Sequence, residues 1–279
     1  MAPSQTTTHK LRVGIVGTAD IAKKNARAMH ESARVECVAV AGRSPEKLAA
    51  WINETRPWLH PDVRALTYDE LLNDPEIDAV YMPLPTTTHA EWVVKSARAK
   101  KHILLEKPVA LTAAAFQEML DVCAACGVRL MDGTMFMHGR RYEALAALLG
   151  TSDAAITGAP ARVYAPFSFN SDAAFLKTNI RVSPQGDPLG ALGDLGWYSI
   201  RLGLIAFGWS RPESARARVL RSIDGVPTEV EATITMDSSR DTPRVLSIFC
   251  SFHRTFQQRF EICTDAERII SCDDFVLPY

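Results

Sequence analysis

Short apolar runs alternate with helix-length amphipathic stretches through the first half of the chain. The runs Leu11–Val16, Val35–Ala41, Asp78–Met82, Ile103–Leu105 and Val128–Met131 read as strands, with Val63–Thr67 as an edge strand. Between them, Lys23–Glu31, Lys47–Thr55, Tyr68–Leu72, Ala90–Ala99, Ala113–Cys126 and Arg140–Leu149 read as helices. The two prolines of the Pro83–His89 loop remove backbone donors, and its threonines are expected to cap the helix that follows. Strand and helix in strict alternation predict a right-handed, doubly wound parallel sheet with helices on both faces.

After Gly150 the period changes. Ala161–Phe169, Ala215–Arg221, Glu229–Met236, Arg244–Phe252 and Gln258–Cys263 are long β-like runs, several of them alternating. They predict a large, mostly antiparallel sheet with one covered and one wetter face. A single helical pattern, Leu195–Phe207, interrupts them. The expected class is therefore α/β followed by α+β: a leader over residues 1–10, a first domain over 11–150 and a second over 151–279. The boundary is expected between Met131 and Ala161.

The 279 residues are 47% hydrophobic and 23% charged, with a formal net charge of −1. That balance gives no basic field for nucleic acid and no polybasic membrane patch. No apolar run is long enough to span a bilayer. The polar start, Met1 to Lys10, lacks the apolar core of a secretory signal and reads as a disordered leader. Six scattered cysteines suit a reducing compartment, so the expected location is the cytoplasm. No metal-ligand spacing was found, and no metal is expected.

Candidate chemistry gathers where strands end. Gly17-Thr18-Ala19-Asp20-Ile21-Ala22 joins the first strand to the first helix, the setting of a dinucleotide fingerprint. The pattern is imperfect, since Ala19 carries a methyl where the backbone must approach a pyrophosphate. The second strand exits into Gly42-Arg43-Ser44-Pro45. An NAD site usually has a carboxylate there, and a guanidinium suits a 2′-phosphate instead. Arg43 thus favours NADP(H), against its reading as a solvated turn residue. Ser44 is placed to cap a helix with Pro45 at its first position. His89 could touch a cofactor ribose or help cap its helix, and Trp92 reads as packing. Ile103–Leu105 ends in Glu106-Lys107-Pro108, with Thr112 as the next N-cap. Pro108 biases Lys107 away from helical angles, so a charged pair is held at the carboxyl end of a buried strand. Open α/β sheets place ligands at such ends.

These stretches, with Pro83-Leu84-Pro85-Thr86 and Gly190-Ala191-Leu192-Gly193-Asp194-Leu195-Gly196-Trp197-Tyr198, occur in an order that resembles one family. It is the glucose-fructose oxidoreductase / inositol dehydrogenase (Gfo/Idh/MocA) family, over about residues 10 to 279. The likeness is greatest to the branch of dimeric dihydrodiol dehydrogenase and NADP-dependent D-xylose dehydrogenase. It implies an N-terminal Rossmann domain and hydride transfer between NADP(H) and a CH–OH group of a small sugar, polyol or cyclic trans-dihydrodiol. By resemblance Lys107 matches the catalytic lysine, Tyr198 its tyrosine neighbour, and Asp194 an orienting aspartate. Arg181 matches a basic position near the substrate or cofactor end, and is offered with Asp194 and Tyr198 as substrate-binding. Gly17, Thr18, Ala19, Asp20, Ile21, Arg43, Ser44, Pro83, Leu84, Pro85, Thr86, His89, Glu106 and Lys107 would face the cofactor. Either Lys107 or Tyr198 could accept the proton. The family also implies a homodimer through the open face of the second sheet.

The chain departs from the family at Ala19 and at Gly186-Asp187-Pro188-Leu189-Gly190, which stands where a glycine cluster is usual. Family members continue beyond the position of Tyr279, so the second domain is expected to be incomplete, with a sheet edge unpaired or completed by a partner. A non-catalytic NADP(H)-binding sensor or scaffold is the alternative reading. Cys123-Ala124-Ala125-Cys126 has the spacing of a redox pair, but it lies in a helix without an electropositive setting and reads as packing.

Overall fold

A computed structural model describes residues 10–150, 158–236 and 243–276. The expected leader lies outside the described residues except for Lys10. The chain divides into two units, Met1–Gly133 and Thr134–Tyr279.

The first unit is built on six parallel strands: β1 (Leu11–Val16), β2 (Val35–Ala41), β3 (Arg64–Leu66), β4 (Ala79–Met82), β5 (His102–Leu105) and β6 (Leu130–Asp132). Their order, 3-2-1-4-5-6, reverses direction between β1 and β4, the crevice where doubly wound sheets bind ligands. Helices α1 (Asp20–Glu31), α2 (Pro45–Thr55), α3 (Tyr68–Asn73), α4 (His89–Arg98) and α5 (Ala113–Cys126) alternate with the strands. Strand β4 is buried at every position, which is why it reads as a continuous apolar run.

Local chemistry explains several helix starts. Ser44 accepts from Lys47 N at 3.3 Å with Pro45 behind it, and Thr112 accepts from Ala115 N at 3.1 Å. A capping box of Thr67 and Glu70 opens α3. The threonines before α4 behave otherwise than expected. They form a 3-10 turn, Thr86–Thr88, and Thr88, at the N-cap of α4, donates its hydroxyl back to Pro85 O at 2.8 Å instead of capping the helix. Trp92 packs edge-on against Tyr68, ring centroids 4.8 Å apart. Cys123 is buried and Cys126 partly so, both as free thiols, and burial pushes the Cys123 thiol up. That is the opposite of what a reactive thiol needs.

The second unit opens with α6 (Arg140–Leu149) and continues with β7 (Pro160–Asn170), α7 (Ala173–Thr178) and α8 (Trp197–Ala206). Strands β8 (Pro212–Ile223), β9 (Val226–Met236), β10 (Arg244–Ser251), β11 (His253–Gln258), β12 (Phe260–Thr264) and β13 (Ile269–Cys272) complete it. The seven-stranded sheet runs 13-12-7-10-9-8, with β11 also pairing β7. Every pairing is antiparallel except β10 with β7. One sheet face (Val163, Ala165, Phe167, Leu246, Ile248, Cys250, Ile262) is buried with α8 residues Tyr198 and Leu202 in one cluster. Strands β11 and β13 were not expected from the sequence.

A buried carboxylate ties three of these strands together. Glu229, 2% exposed, receives two hydrogen bonds from Arg254 at 2.7 and 2.9 Å and one from Ser251 at 2.7 Å. Burial alone would push its carboxyl up. Those hydrogen bonds, with the charges of Arg254 and Arg221, more than offset burial and leave it below the usual range. A depressed carboxyl contributes stability that is present above its unfolded value, roughly 4.3, and is lost as pH falls through the folded one. Glu229→Gln should therefore cost about 2 kcal/mol at neutral pH, with half-exposed Arg254 moderating the loss. The difference should shrink steadily in urea titrations repeated below about pH 4.

Candidate active site

At the end of β1 the backbone turns at Gly17, whose φ of +111° is left-handed territory that favours glycine. A Cβ there would also lie 3.0 Å from Leu84 Cδ2. Gly17 donates its N–H to Ala41 O at 2.9 Å, tying the turn to the end of β2. Thr18 and Ala19 follow, with Ala19 at the N-cap of α1 and its carbonyl receiving Trp51 Nε1–H at 3.4 Å. No side chain caps this helix, so the first-turn amides at Asp20 and Ile21 keep their donors for an anion. Ala22 is fully buried, the small contact that close helix–strand packing requires.

Arg43 is exposed at the carboxyl end of β2, near enough to the Tyr68 phenol for its charge to act on it. Burial pushes that phenol up, and Arg43 works against it. A Cβ on Gly17 would lie 3.8 Å from the same phenol oxygen, so Tyr68 links Arg43 to the turn. Ser44 is committed locally: besides capping α2 it donates to Glu46 Oε2 at 2.9 Å. Together, an uncapped helix start and a left-handed glycine turn fit the pyrophosphate of a dinucleotide.

The β4 exit supplies Pro83, buried, with Leu84 and Pro85 half-buried and Thr86 at 5% exposure. His89, expected either to touch a cofactor ribose or to help cap α4, is buried at the start of that helix. It is 1% exposed, with Nε2 2.9 Å from Leu84 O and Nδ1 3.2 Å from Val109 O. Burial lowers its pKa, while the facing carbonyls work to raise it. Both nitrogens are turned to backbone, so His89 braces the β4 exit loop against the segment following Lys107.

At the end of β5 the side chains of Glu106 and Lys107 are half-buried, and the Lys107–Pro108 peptide is cis. Glu106 donates its N–H to Met82 O at 3.2 Å, continuing the sheet one residue further. Its carboxylate folds back: Oε1 accepts from Tyr81 Oη–H at 2.6 Å and Oε2 from Lys107 N at 3.3 Å. Lys107 thus sits between two held neighbours, Glu106 on Tyr81 and Val109 on His89. Tyr81 was missed because a tyrosine inside an apolar strand reads as core. The available signal was that a buried phenol needs a polar partner.

In the second unit Asp194, 7% exposed, pairs with Arg181 at 2.9 Å. The carboxylates of Asp194 and Asp187 both favour the charged form of Arg181. Asp187, in the loop that departs from the family pattern, was not a sequence candidate. Asp194 lies in a π-turn, Leu192–Gly196, that runs directly into α8. Tyr198 on the first turn of α8 is 3% exposed, its ring among Phe136 and Phe167 at 6.3 and 5.9 Å. Trp197 donates Nε1–H to Thr134 Oγ1 at 2.7 Å, fixing the start of the same helix. Sequence candidates thus gather in two sets, Gly17, Arg43, Leu84, Glu106 and Lys107 in the first unit and Arg181, Asp194 and Tyr198 in the second.

Comparison with known proteins agrees with this architecture. A family model described as an oxidoreductase family with an NAD-binding Rossmann fold matches residues 11–134. A dTDP-3,4-didehydro-2,6-dideoxy-alpha-D-glucose 3-reductase of Streptomyces violaceoruber is 36% identical over 203 residues, 72% of this chain and 56% of the relative. This chain therefore spans little more than half of that protein. D-xylose 1-dehydrogenase (NADP(+)) 2 of Haloferax volcanii is 32% identical over 238 residues, 85% of this chain and 69% of the relative. KijD10, a 3-ketoreductase from Actinomadura kijaniata crystallised with NADP and TDP-benzene, superposes with a TM-score of 0.78 at 26% identity. That match covers 92% of this chain and 74% of KijD10. With a Rossmann sheet, a second mostly antiparallel sheet and these relatives, the chain belongs to the Gfo/Idh/MocA family of NAD(P)-binding oxidoreductases.

Proposed function

We propose that the protein is an NADP(H)-dependent oxidoreductase that interconverts CH–OH and C=O on a small sugar, polyol or cyclic trans-dihydrodiol. The observation that carries this reading is Lys107, held at the carboxyl end of β5 between Glu106 on Tyr81 and Val109 on His89. A lysine braced on both sides at a ligand-facing strand end suits proton transfer better than solvation. The Streptomyces relative is named a sugar reductase and the Haloferax relative a sugar dehydrogenase, which supports the substrate class.

NADP(H), when bound, supplies or takes the hydride. The residues of this chain handle the proton and the orientation. An alcohol must lose its hydroxyl proton as hydride leaves carbon, and a carbonyl must gain one in the reverse direction. Free lysine and tyrosine titrate near about 10.4 and about 10, too high for an efficient base at neutral pH. Lys107 would serve as that base, its ammonium form disfavoured if a positively charged nicotinamide were bound nearby. Lys107 and Tyr198 are both offered as the acceptor. Asp194, paired with Arg181, orients the substrate hydroxyls. The amides at the start of α1 hold the pyrophosphate.

Arg43 selects the coenzyme in this reading. Removing one charge-assisted contact to a 2′-phosphate costs about 1.5–3 kcal/mol. Arg43→Ala should therefore weaken NADPH roughly 10- to 100-fold and NADH less than about threefold, as read by fluorescence titration. Equal losses for both would remove Arg43 from the 2′-phosphate. The proposal extends to a cytoplasmic protein, supported by six unpaired cysteines, and to a homodimer through the open face of the second sheet. That face offers Arg216, Arg218 and Glu231 beside Phe249. The test of function is a panel of aldoses, polyols, diols and their ketones, run in both directions and followed by NADPH absorbance. NADPH binding without turnover on any of them would refute it.

A further inference from the structure

Beneath Glu106 runs a chain of hydrogen bonds that the proposed chemistry does not yet use. Asn25, in the second turn of α1, donates its side-chain amide to the Tyr81 hydroxyl at 2.7 Å. Tyr81 in turn donates to Glu106 Oε1 at 2.6 Å, and Glu106 Oε2 accepts from Lys107 N. The phenol crosses the core to do this: Tyr81 is 1% exposed and packs in the cluster of Ala22, Ala26, Met29 and Trp51. We infer that Tyr81, steadied by Asn25, is a positioning residue that holds the Glu106 carboxylate in place and through it the backbone of Lys107.

Three observations carry this beyond ordinary core satisfaction. First, the direction of the donors is set. Glu106 is an acceptor when ionised, so Tyr81 must donate to it, and Asn25 must donate to the lone pair that Tyr81 leaves. Each group meets the next one's need, and the bond to the carboxylate is the short, charge-assisted kind. Second, room for the folded carboxylate is built into β6's exit. A Cβ on Gly133 would lie 3.4 Å from Glu106 Cδ and Oε1 and 3.3 Å from Leu105 O. Third, the chain starts on α1, the helix whose uncapped first turn faces the proposed dinucleotide. The same hydrogen bonds thus join the phosphate-binding helix to the strand end that carries the proton-transfer lysine. A carboxylate offers about four acceptor positions, and Tyr81 and Lys107 N take two.

This inference rests on the proposed reaction for its turnover readout, so the test carries a second readout that does not. Tyr81→Phe keeps the ring and its packing and removes only the phenol oxygen. It should lower kcat about tenfold while KM for NADPH stays within about threefold. Glu106→Gln should have a comparable effect, and the double variant should be no worse than the more impaired single, because both changes break one chain. In parallel, lysines of the 279-residue chain are reductively methylated with 13C and observed by NMR, with Lys107 assigned from its loss in Lys107→Arg. The Lys107 resonance should move in Tyr81→Phe towards its position in Glu106→Gln. If no substrate were ever turned over, the resonance alone would decide. Independent, multiplying losses in the double variant, or an unmoved Lys107 resonance with only a lowered Tm, would overturn the positioning role.

Discussion

Lys107→Ala is expected to remove turnover almost completely while leaving NADPH binding within a few-fold of wild type. General acid–base groups contribute roughly 10²–10⁴ in rate, and the proposed reaction assigns that part to Lys107. Its neighbours explain why binding should survive. The turn at Gly17, the amides of α1 and Arg43 all lie on other segments, and the Glu106 and Val109 contacts are held by Tyr81 and His89 rather than by the lysine ammonium. Steady-state rates with NADPH, together with a fluorescence titration of the same preparation, separate the two effects. A parallel collapse of binding would mean that Lys107 serves the coenzyme rather than the proton.

Gly190→Ala should be among the most damaging single-methyl additions in the second unit. Gly190 has a φ of +52°, and a Cβ there would overlap the carbonyl oxygen of Pro227 and lie 2.8 Å from Val226 Cγ1. Left-handed strain costs about 1 kcal/mol, and forcing the methyl against backbone adds about 2–3 kcal/mol. The expected loss is thus about 3–4 kcal/mol, or roughly 10 °C in the Tm of the transition that reports on this unit. Gly127→Ala is the control. Gly127 ends α5 at φ +71° with nothing within 4 Å of an added Cβ, so only the strain of about 1 kcal/mol should appear. Because the loop carrying Gly190 leads directly to Asp194 and Tyr198, activity in the folded fraction should fall as well. Similar small losses for both variants would mean that the loop beside Pro227 yields easily.

Parts of this molecule were legible in the sequence for definite physical reasons. Strands buried on both faces leave unbroken apolar runs, which made β4 and β5 visible. Ser44-Pro45 and Thr112 announced helix starts because a short hydroxyl side chain meets an orphan amide only at that position. The sequence Thr67-x-x-Glu70 carried a capping box in plain view as well. Other features left no periodic trace. The π-turn over Leu192–Gly196 comes from packing its buried glycines and Leu195, not from a local propensity. Strands β11 and β13 are short and mixed in polarity, and they exist because partner strands β7 and β12 offer open edges. At the site, Lys107 was found because proline and a strand end frame it. Tyr81 and the brace role of His89 depend on long-range geometry. Their partners lie far off in sequence, 56 residues from Asn25 to Tyr81 and 20 from His89 to Val109.

The proposed function requires hydride transfer from NADPH at a site that depends on Lys107. Its most direct test is a single-turnover reaction with NADPH deuterated at the transferring carbon, offered to pooled keto sugars and diketones and read by mass spectrometry of the products. An enzyme of the kind proposed places deuterium on the carbinol carbon of at least one product, and the Lys107→Ala protein with NADPH bound places essentially none. Deuterium that stays on the coenzyme with every substrate offered, or equal transfer by wild type and Lys107→Ala, would contradict it.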